Sequence, residues 1–240
     1  MASLHHATLT AALTFVVLVS GCAGIVPGTG ATSVGGQAVS VQSDTLDAME
    51  SVDSYRAVTN MDVSIGANRT FTNVTTLVNR STATVSVYST DRNYTTHVVD
   101  DQAYRNTSDG WETVSGDVDG PSDPASNQTA LLNDSRVSDL QRTRTDGRAT
   151  YRLDLDPRNS TLVGILTAQP GNGVERPESV TVLDRSYEMH VNRTTHRLQR
   201  VEMTLKFRHR SEVGRATMVA WFTGYDETVP TVPDRESLEN

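Results

Sequence analysis

The spacing of apolar and polar positions changes along the chain, and these changes predict its secondary structure. An uncharged apolar run extends over residues 9–19. Between Ser43 and Val52, the apolar residues Leu46, Met49 and Val52 recur at helical spacing, which predicts a short helix. Beyond residue 60 the period becomes two, and this alternation is typical of strands that are buried on one face.

Four segments show the alternation clearly. Their apolar positions are Met61, Val63 and Ile65; Ala83, Val85 and Val87; Ala149, Tyr151, Leu153 and Leu155; and Val201, Met203, Leu205 and Phe207. A further strand is expected from about Arg215 to Phe222, and a hairpin from His190 to His196 through Asn192-Arg193-Thr194. Such strands, linked by Asn, Asp and Gly turns, predict an antiparallel sheet with one apolar face.

Two further helices are expected to cover that face. Asp123 is predicted to cap a helix that has Pro124 at its first position and runs toward Leu132. Ser160 is predicted to cap a second helix over residues 162–166, which Gln169-Pro170-Gly171 would end. The order is helix, strands, helix, strand, helix, strands. It predicts one α+β domain over residues 41–226, followed by a disordered tail over residues 227–240.

The N-terminus carries an export signal. The apolar run is too short to span a bilayer but suits a signal peptide over residues 1–21. It ends in Val19, Ser20 and Gly21 before Cys22, the only cysteine of the chain, and this order resembles a lipobox. We therefore expect a lipid on Cys22 that anchors the chain to the extracellular face of the cell membrane. The alternative is a small buried thiol in a signal peptide that is cut elsewhere.

The residues that flank the apolar run bear on the export route and on the segment that follows the lipobox. His5 and His6 stand where such a signal usually carries Lys or Arg, and there is no twin-Arg motif, so the export route stays open. Residues 22–40 are rich in Gly, Ser and Thr, which predicts a flexible tether between the lipid and the domain.

The amino-acid composition supports a β-sheet and excludes one class of binding partner. Ser and Thr make up 54 of the 240 residues, and Thr and Val favour pleated, half-buried surfaces. The chain contains 20 Arg and one lysine, Lys206, and its net charge is −8. Because no basic stripe would neutralise phosphates, nucleic acid is excluded as a partner. The acidic, Lys-poor composition is typical of salt-loving archaea, although GC-rich coding would also favour Arg over Lys.

Nine Asn-X-Ser/Thr sequons suggest a glycosylated surface, and Thr-rich strands and turns are the alternative source of such motifs. The sequon residues are Asn68, Asn73, Asn79, Asn93, Asn106, Asn127, Asn133, Asn159 and Asn192.

The chain offers no convincing catalytic or metal site. His190 and His196 could face each other across the hairpin near Glu188, but a zinc site usually has three protein ligands. His97 with Asp100 and Asp101 is no stronger. The segment 117–123 has some character of a Ca²⁺ loop but lacks a closing Glu. The sequence has no cysteine besides Cys22, no nucleophile elbow and no phosphate-binding loop. We therefore expect that the protein is not an enzyme and binds neither a metal nor a cofactor.

The combination of these features resembles a known group of proteins. The lipobox, the tether, a helix that leads into Val52-Asp53-Ser54-Tyr55-Arg56 and the meander from Met61 resemble small haloarchaeal lipoproteins of unknown function. These in turn resemble the LolA/LppX-like lipoproteins, and the segment Tyr187–Met203 resembles a late hairpin of that fold. The resemblance implies a curved antiparallel half-barrel closed by helices, with an acyl chain or other apolar ligand held between the sheet and the helices.

Two functions follow as hypotheses. The first is a surface lipoprotein that binds a lipid or another apolar ligand in a cavity beneath its helices. The second is an interaction lipoprotein of the cell envelope that has no cavity and contacts envelope proteins or glycans through its polar sheet face. Four alanines, Ala83, Ala149, Ala216 and Ala220, fit either a thinly packed core or an open space.

Overall fold

One antiparallel sheet of eleven strands dominates the described part of the chain, and three α-helices accompany it. The computed structural model describes residues 34–89, 94–99, 102–107, 110–113, 123–167 and 177–228. The strands are β1 (Ser54–Ile65), β2 (Asn68–Asn79), β3 (Thr84–Ser89), β4 (Tyr94–Val99), β5 (Gln102–Thr107), β6 (Gly110–Thr113), β7 (Arg136–Thr145), β8 (Arg148–Asp156), β9 (Val180–Asn192), β10 (Leu198–His209) and β11 (Glu212–Thr223). The helices are α1 (Val34–Glu50), α2 (Pro124–Asp134) and α3 (Asn159–Thr167), and a 3-10 turn over Pro177–Ser179 precedes β9.

The sheet consists of two meanders that join at its centre. Its strand order is β6-β5-β4-β3-β2-β1-β11-β10-β9-β8-β7, so the first and last strands of the domain pair with each other. In the pairing of β1 with β11, Met61 lies opposite Met218. The curved sheet does not close into a barrel, and its helices are short. The predicted α+β architecture, a curved antiparallel sheet with short helices, is confirmed.

Alternation along the central strands gives the sheet one apolar face, which we call the inner face. On β1 it presents Tyr55, Ala57, Met61, Val63 and Ile65, all of which are buried. On the neighbouring strands, the buried residues of this face include Ala216, Met218, Ala220 and Phe222 on β11, and Val201, Met203, Leu205 and Phe207 on β10. Burial of these side chains is the main force that holds the sheet to its helices.

Helix α2 has the predicted ends. Asp123 accepts a hydrogen bond from the amide of Ser126 at 2.9 Å, and Pro124 occupies the first helical position. The buried side of α2 carries Ala125, Gln128, Leu131 and Leu132. The helix therefore packs with one apolar stripe and a single inward-facing amide.

Helix α1 begins earlier than predicted, so residues 34–40 of the predicted tether are helical. Ala38, Val41, Thr45 and Met49 are buried at helical spacing, and this stripe extends the helix toward its N-terminus. The glycine-rich composition concealed the stripe, because Gly35 and Gly36 lower the local helical preference. The remaining residues of the predicted tether, 22–33, lie outside the described residues.

Several other predicted boundaries were wrong. Helix α3 begins at Asn159, so Ser160 lies in its first turn and is not its cap. Two strands, β7 and β8, lie between α2 and α3 where one was predicted. Ala83 is in the turn before β3 with φ 48° and is not part of the strand. Past the predicted domain end at residue 226, the amide of Thr228 donates a hydrogen bond to Ser54 Oγ at 3.2 Å.

Candidate functional site

One end of the inner face is closed by a polar junction around Arg80, in the turn between β2 and β3. The guanidinium donates to the carbonyl oxygens of Met49 and Val52, at 2.7 and 3.1 Å, just where α1 ends. Its Nε also donates to Asp123, the cap of α2, at 2.7 Å. One side chain therefore joins the C-terminal end of α1 to the N-terminal end of α2.

Tyr55 completes this junction from the sheet. Its hydroxyl donates to Asp123 and accepts a hydrogen bond from the amide of Ala125 at 2.9 Å. Burial raises the pKa of Tyr55, and the nearby Asp123 carboxylate raises it further. Burial also acts to raise the pKa of Asp123, but the hydrogen bonds from Arg80 and Tyr55 outweigh it and hold that pKa below its usual range. Asp123 is therefore a charged group that three partners, Arg80, Tyr55 and the Ser126 amide, fix in place.

Further along the inner face, two amides tie the helices to their surroundings. Tyr187, on β9, donates its hydroxyl to Gln128 on α2, and both side chains are buried. Gln42, on α1, donates to the carbonyl oxygen of Leu132 at 2.6 Å, near the end of α2. Because these buried polar groups have partners, the helical cover has a defined position over the sheet.

The opposite end of the inner face is open. From Tyr55 to Ile65, β1 advances ten residues, which is roughly 33 Å at about 3.3 Å per residue. There a cleft of about 350 Å³ is floored by Val63 and Ile65 of β1. Its rim consists of polar residues from the two adjacent hairpin tips: Asn68, Thr70, His209, Arg210, Ser211 and Glu212.

A second cleft, of about 450 Å³, lies beside the first between α3 and the start of β9. Val163 of α3 faces Val180 and Val182 of β9 across it. Val180 pairs with His209, which lines the first cleft, so the two clefts are neighbours along the sheet. Together they form what we call the open end: an apolar floor with a polar rim, away from the Arg80 junction.

The predicted alanines do not all contribute to this region. Ala216 and Ala220 are buried at the centre of the inner face, where they flank Met218. Packing is also tight at Gly214, which pairs with Ile65 beside the first cleft, because a Cβ added there would lie 2.5 Å from the ring of Phe207. Ala83 and Ala149 are exposed. None of the four alanines lines either cleft of the open end.

The outer face of the sheet carries interlocked charges. Arg200 contacts Glu202 at 3.0 Å, and Glu202 contacts the Nε2 of His190 at 3.4 Å. The Nδ1 of His190 is hydrogen-bonded to Thr145 at 2.9 Å. Burial lowers the pKa of His190, and the carboxylates of Glu202 and Glu188 only partly oppose this. His190 is therefore held as a neutral imidazole at neutral pH.

The structure does not bring the candidate metal ligands together. His196 lies 3.8 Å from Asp44 and stacks on Tyr151, whereas His190 lies on the outer face. Among the residues that the structure describes, no group of three His, Cys, Asp or Glu side chains could hold a metal ion. The Ca²⁺ hypothesis for residues 117–123 falls mostly outside the described residues, and Asp123 itself is occupied as a helix cap.

His97 is a buried outer-face residue. Its Nδ1 is 2.7 Å from Ser86 Oγ, and its ring meets the edge of Trp111 at a centroid distance of 5.0 Å. Burial lowers the pKa of His97. Asp100 and Asp101, with which it was considered as a site, lie outside the described residues.

The lipobox residues Val19, Ser20, Gly21 and Cys22 lie outside the described residues, as does Asn93. Of the other sequon residues, Asn68, Asn106, Asn127, Asn133 and Asn159 are exposed, whereas Asn73, Asn79 and Asn192 are half-buried. Within the described residues, no helix is long and apolar enough to span a bilayer.

Sequence reasoning missed the junction and the rim of the open end. Tyr55 and Asp123 are 68 residues apart, so no local pattern could pair them. The usable signal was a tyrosine at an inward strand position, since a buried phenol normally finds a hydrogen-bond partner. The hairpin tip 209–212 interrupts the alternation of β10 and gave no signal of its own.

Two meanders joined through their first and last strands, with helices on one face, identify a known architecture. The fold is similar to that of LppX. LppX is a lipoprotein of Mycobacterium tuberculosis, and its crystal structure matches with a TM-score of 0.52 at 14% identity, over 82% of this chain and 99% of LppX. At that identity the likeness to LppX shows the fold, and the predicted LolA/LppX-like architecture is confirmed in this respect.

Other solved structures match more weakly than LppX. LprF from Mycobacterium bovis has a TM-score of 0.48 at 13% identity, over 83% of this chain and 97% of LprF. A LolA superfamily protein from Nitrosomonas europaea has a TM-score of 0.31 at 10% identity, over 83% of this chain and 96% of its own. No protein-family model matches the sequence, and no curated protein matches it.

Proposed function

We propose that this chain is an exported, lipid-anchored lipoprotein that holds the apolar part of a lipid or similar ligand at the open end of its inner face. The observation that carries the proposal is the pair of neighbouring clefts, of about 350 and 450 Å³, floored by Val63, Ile65, Val163, Val180 and Val182. The first cleft is mainly polar and the second mainly apolar, and together they offer valines beside polar side chains, a combination by which small-molecule sites hold and orient a ligand. The LppX-like fold supports the same proposal.

The polar contacts of the helices favour binding from the open end. The Arg80 junction fixes the adjoining ends of α1 and α2, so opening there would break several buried hydrogen bonds. At the open end, the gap between α3 and β9 is lined by Val163, Val180 and Val182. A ligand that enters there keeps the junction intact and extends its apolar part along the sheet.

The anchoring proposal rests on the sequence. Cys22, with Val19, Ser20 and Gly21 before it, would receive the lipid and tether the domain to the extracellular face of the cell membrane. The exposed sequon residues Asn68, Asn106, Asn127, Asn133 and Asn159 would be the accessible sites for glycans on such a surface.

Ligand binding is tested by filling the cleft from one strand. Thr70 of β2 lines the cleft, whereas Thr75 of the same strand points to the outer face, opposite Val58. Thr70→Trp should abolish uptake of a long-chain alkyl ligand in native mass spectrometry, because the indole would occupy the cleft. Thr75→Trp is the matched control and should bind as the wild type does. Equal binding by both variants, or none by the wild type, would reject the proposal.

Anchoring is tested separately by fractionating cells that express the wild type or Cys22→Ala. The wild type should be recovered with membranes, and its intact mass should show an N-terminal Cys22 that carries lipid. The Cys22→Ala chain should lose both the added mass and the membrane association. If the two chains fractionate alike and remain uncut, the anchor is wrong, while the ligand proposal stands on its own test.

A second candidate function uses the outer face. There Arg200 lies over the ring of Trp221 at 5.6 Å, and the ring of Phe71 is 53% exposed on the same face. An envelope lipoprotein could contact a protein or glycan partner through this face. Crosslinking in intact cells from a photoreactive residue at position 71 should then capture a reproducible partner, whereas labelling from position 70 should not.

A further inference from the structure

The outer face of the sheet carries aromatic side chains where β3 to β6 lie, in contrast to the paired charges over β8 to β10. The ring centroid of His97, on β4, lies 5.0 Å from that of Trp111 on β6 and 6.3 Å from that of Tyr88 on β3. Because the Nδ1 of His97 is hydrogen-bonded to Ser86, the middle ring has a fixed position. We call these three rings the aromatic row, and Trp111 is its member on the edge strand.

A sequon asparagine lies directly opposite Trp111. Asn106 of β5 is followed by Thr107 and Ser108, and it pairs with Trp111 in the register of β5 and β6. Residues that pair directly have Cβ atoms about 4.5–5.5 Å apart on the same face of the sheet. Asn106 is exposed and Trp111 is half-buried. A group attached to the asparagine amide would therefore have the indole beside it and solvent above it.

We propose that Asn106 carries an N-linked glycan whose first sugar ring packs on the indole of Trp111. The Nδ2 of Asn106 forms a bond to the anomeric carbon of a sugar that a lipid-linked glycosyl phosphate donates. The bond between that carbon and the phosphate oxygen breaks, the lipid phosphate leaves, and the amide releases one of its two protons. This inference rests on the proposed export of the chain, because glycosylated sequons lie on exported surfaces. It does not depend on a ligand at the open end.

The surroundings of Asn106 distinguish it from other sequon residues of the described chain. Three of them are half-buried and have hydrogen-bonded side chains: Asn73 donates to Asn60, Asn79 accepts from Ser81, and Asn192 accepts from the amides of Thr194 and Thr195. Asn159 is exposed but accepts a hydrogen bond from Arg185. Asn106 combines exposure, an extended backbone and an aromatic ring on the paired residue.

The indole offers a sugar ring a surface of suitable chemistry. A sugar ring presents C–H groups on its faces and hydroxyl groups around its rim. The C–H hydrogens are partially positive and the face of an aromatic ring is negative, so the two surfaces attract each other. Packing also removes apolar indole surface from water while the hydroxyl groups stay hydrated.

The position of Trp111 gives this contact a structural consequence. Strand β6 has four residues and lies at the edge of the sheet, with β5 as its neighbour. Edge strands present unpaired backbone groups to which another strand can add. A sugar that joins Asn106 of β5 to Trp111 of β6 would hold β6 in place and cover this edge.

Occupancy is measured first, by glycopeptide mass spectrometry. The full chain would be produced with its own N-terminal segment in an archaeal host that exports lipoproteins and glycosylates Asn-X-Ser/Thr sequons. We expect a glycan on Asn106, and none at this position in Ser108→Ala, which keeps the asparagine but removes the sequon. An unmodified Asn106 in exported chain would overturn the inference and leave the proposed export intact. Retention of the chain inside the cell would overturn the export, and the inference with it.

Packing on the indole is tested by hydrogen exchange of the peptide 102–113 in the purified full chain. Ser108→Ala should speed exchange in this peptide at least about threefold, because β6 loses the sugar that holds it. In a Trp111→Val background the same change should have little effect, since valine suits a strand but has no ring. Thr161→Ala, which removes the sequon of Asn159 in α3, is the matched control and should leave this peptide unchanged. An equal effect of Ser108→Ala with and without Trp111 would overturn the inference.

A second readout leaves Trp111 itself unaltered, so it applies even if Trp111→Val does not fold. The chain has two tryptophans, and Trp221→Phe leaves Trp111 as the single fluorophore. In that background the glycan should lower the acrylamide quenching constant about twofold relative to Ser108→Ala, because the sugar covers one of the two faces of the indole. Equal quenching of the glycosylated and unglycosylated chains would overturn the packing of the sugar on Trp111.

Discussion

Arg80 connects two parts of the chain that are distant in sequence: the segment where α1 ends before β1, and the cap of α2. Its guanidinium has protein partners for Nε, Nη1 and Nη2, the last of which is Ser126 Oγ at 3.2 Å. Removing one partner from a partly buried network leaves the others without hydrogen bonds, which costs more than the pair itself contributes. The stability of the helical cover therefore depends on this single side chain.

Arg80→Met should lower the free energy of unfolding by about 2–4 kcal/mol, because Asp123 and the carbonyl oxygen of Met49 lose their donor. Arg69→Met is the matched control. Arg69 also binds an aspartate, Asp62, but its side chain is 72% exposed, so its loss should lower the free energy of unfolding far less than the loss of Arg80. Urea unfolding measures both. Similar losses for the two variants would show that the Arg80 junction is an ordinary surface pair.

The two buried histidines make stability depend on pH. Burial lowers the pKa of His97 and of His190, so the unfolded chain takes up protons more readily than the folded one. The stability that the two neutral imidazoles contribute is fully present above the pKa of histidine in the unfolded chain, which is about 6.5. It is lost as the pH falls from there through the folded pKa values.

His190→Gln should flatten the fall in stability below pH 6.5, because the residue that titrates is removed while a side-chain amide remains for Thr145. Thermal unfolding between pH 7.5 and 5 gives the slope. An unaltered slope in His190→Gln would mean that burial of this imidazole is not what makes stability pH-dependent.

At the scale of elements, the sequence predicted best the parts whose inward positions are apolar. The strands β1, β8, β10 and β11 and the helix α2 follow their alternation or their cap. β2 was missed because its inward positions become progressively polar from Val78 to Asn68. β7 was missed because it is an edge strand with an irregularity between Val137 and Asp139. Both strands are held by hydrogen-bonded pairing with a neighbouring strand, β1 or β8, and no regular hydrophobic alternation reveals them in the sequence.

Near the tip of the β10–β11 hairpin, the inner face is packed too closely to accept an added methyl group. Gly214 of β11 faces the Phe207 ring and the carbonyl oxygen of Ser64, and an added Cβ would lie 2.5 and 2.9 Å from them. Gly214→Ala should cost about 1–3 kcal/mol from overpacking. Gly164→Ala, in α3 with nothing within 4 Å of an added Cβ, should instead stabilise by up to about 1 kcal/mol. Guanidinium unfolding of both variants measures the difference, and a neutral Gly214→Ala would contradict tight packing at this position.

At the scale of the whole molecule, the described domain has an inner face with one closed end and one open end, and an outer face of paired charges. The sequence predicted the two faces, because alternation determines them, and it predicted that helices would cover one of them. It did not predict which end would be open. That depends on contacts such as Tyr55 with Asp123 and Tyr187 with Gln128, which join positions 68 and 59 residues apart.

The central claim, that an apolar ligand lies on the inner face at the open end, is tested most directly by photolabelling. The full-length Cys22→Ala chain would be labelled with a dodecyl maltoside that carries a diazirine in its tail, and the labelled peptides mapped by mass spectrometry. We expect the label on inner-face residues of β1 and β2 such as Val63, Ile65 and Thr70, and on Val163, Val180 and Val182 around the second cleft, with loss of labelling in Thr70→Trp. Labelling spread over outer-face positions such as Phe71 and Trp221, or unchanged in Thr70→Trp, would contradict the account.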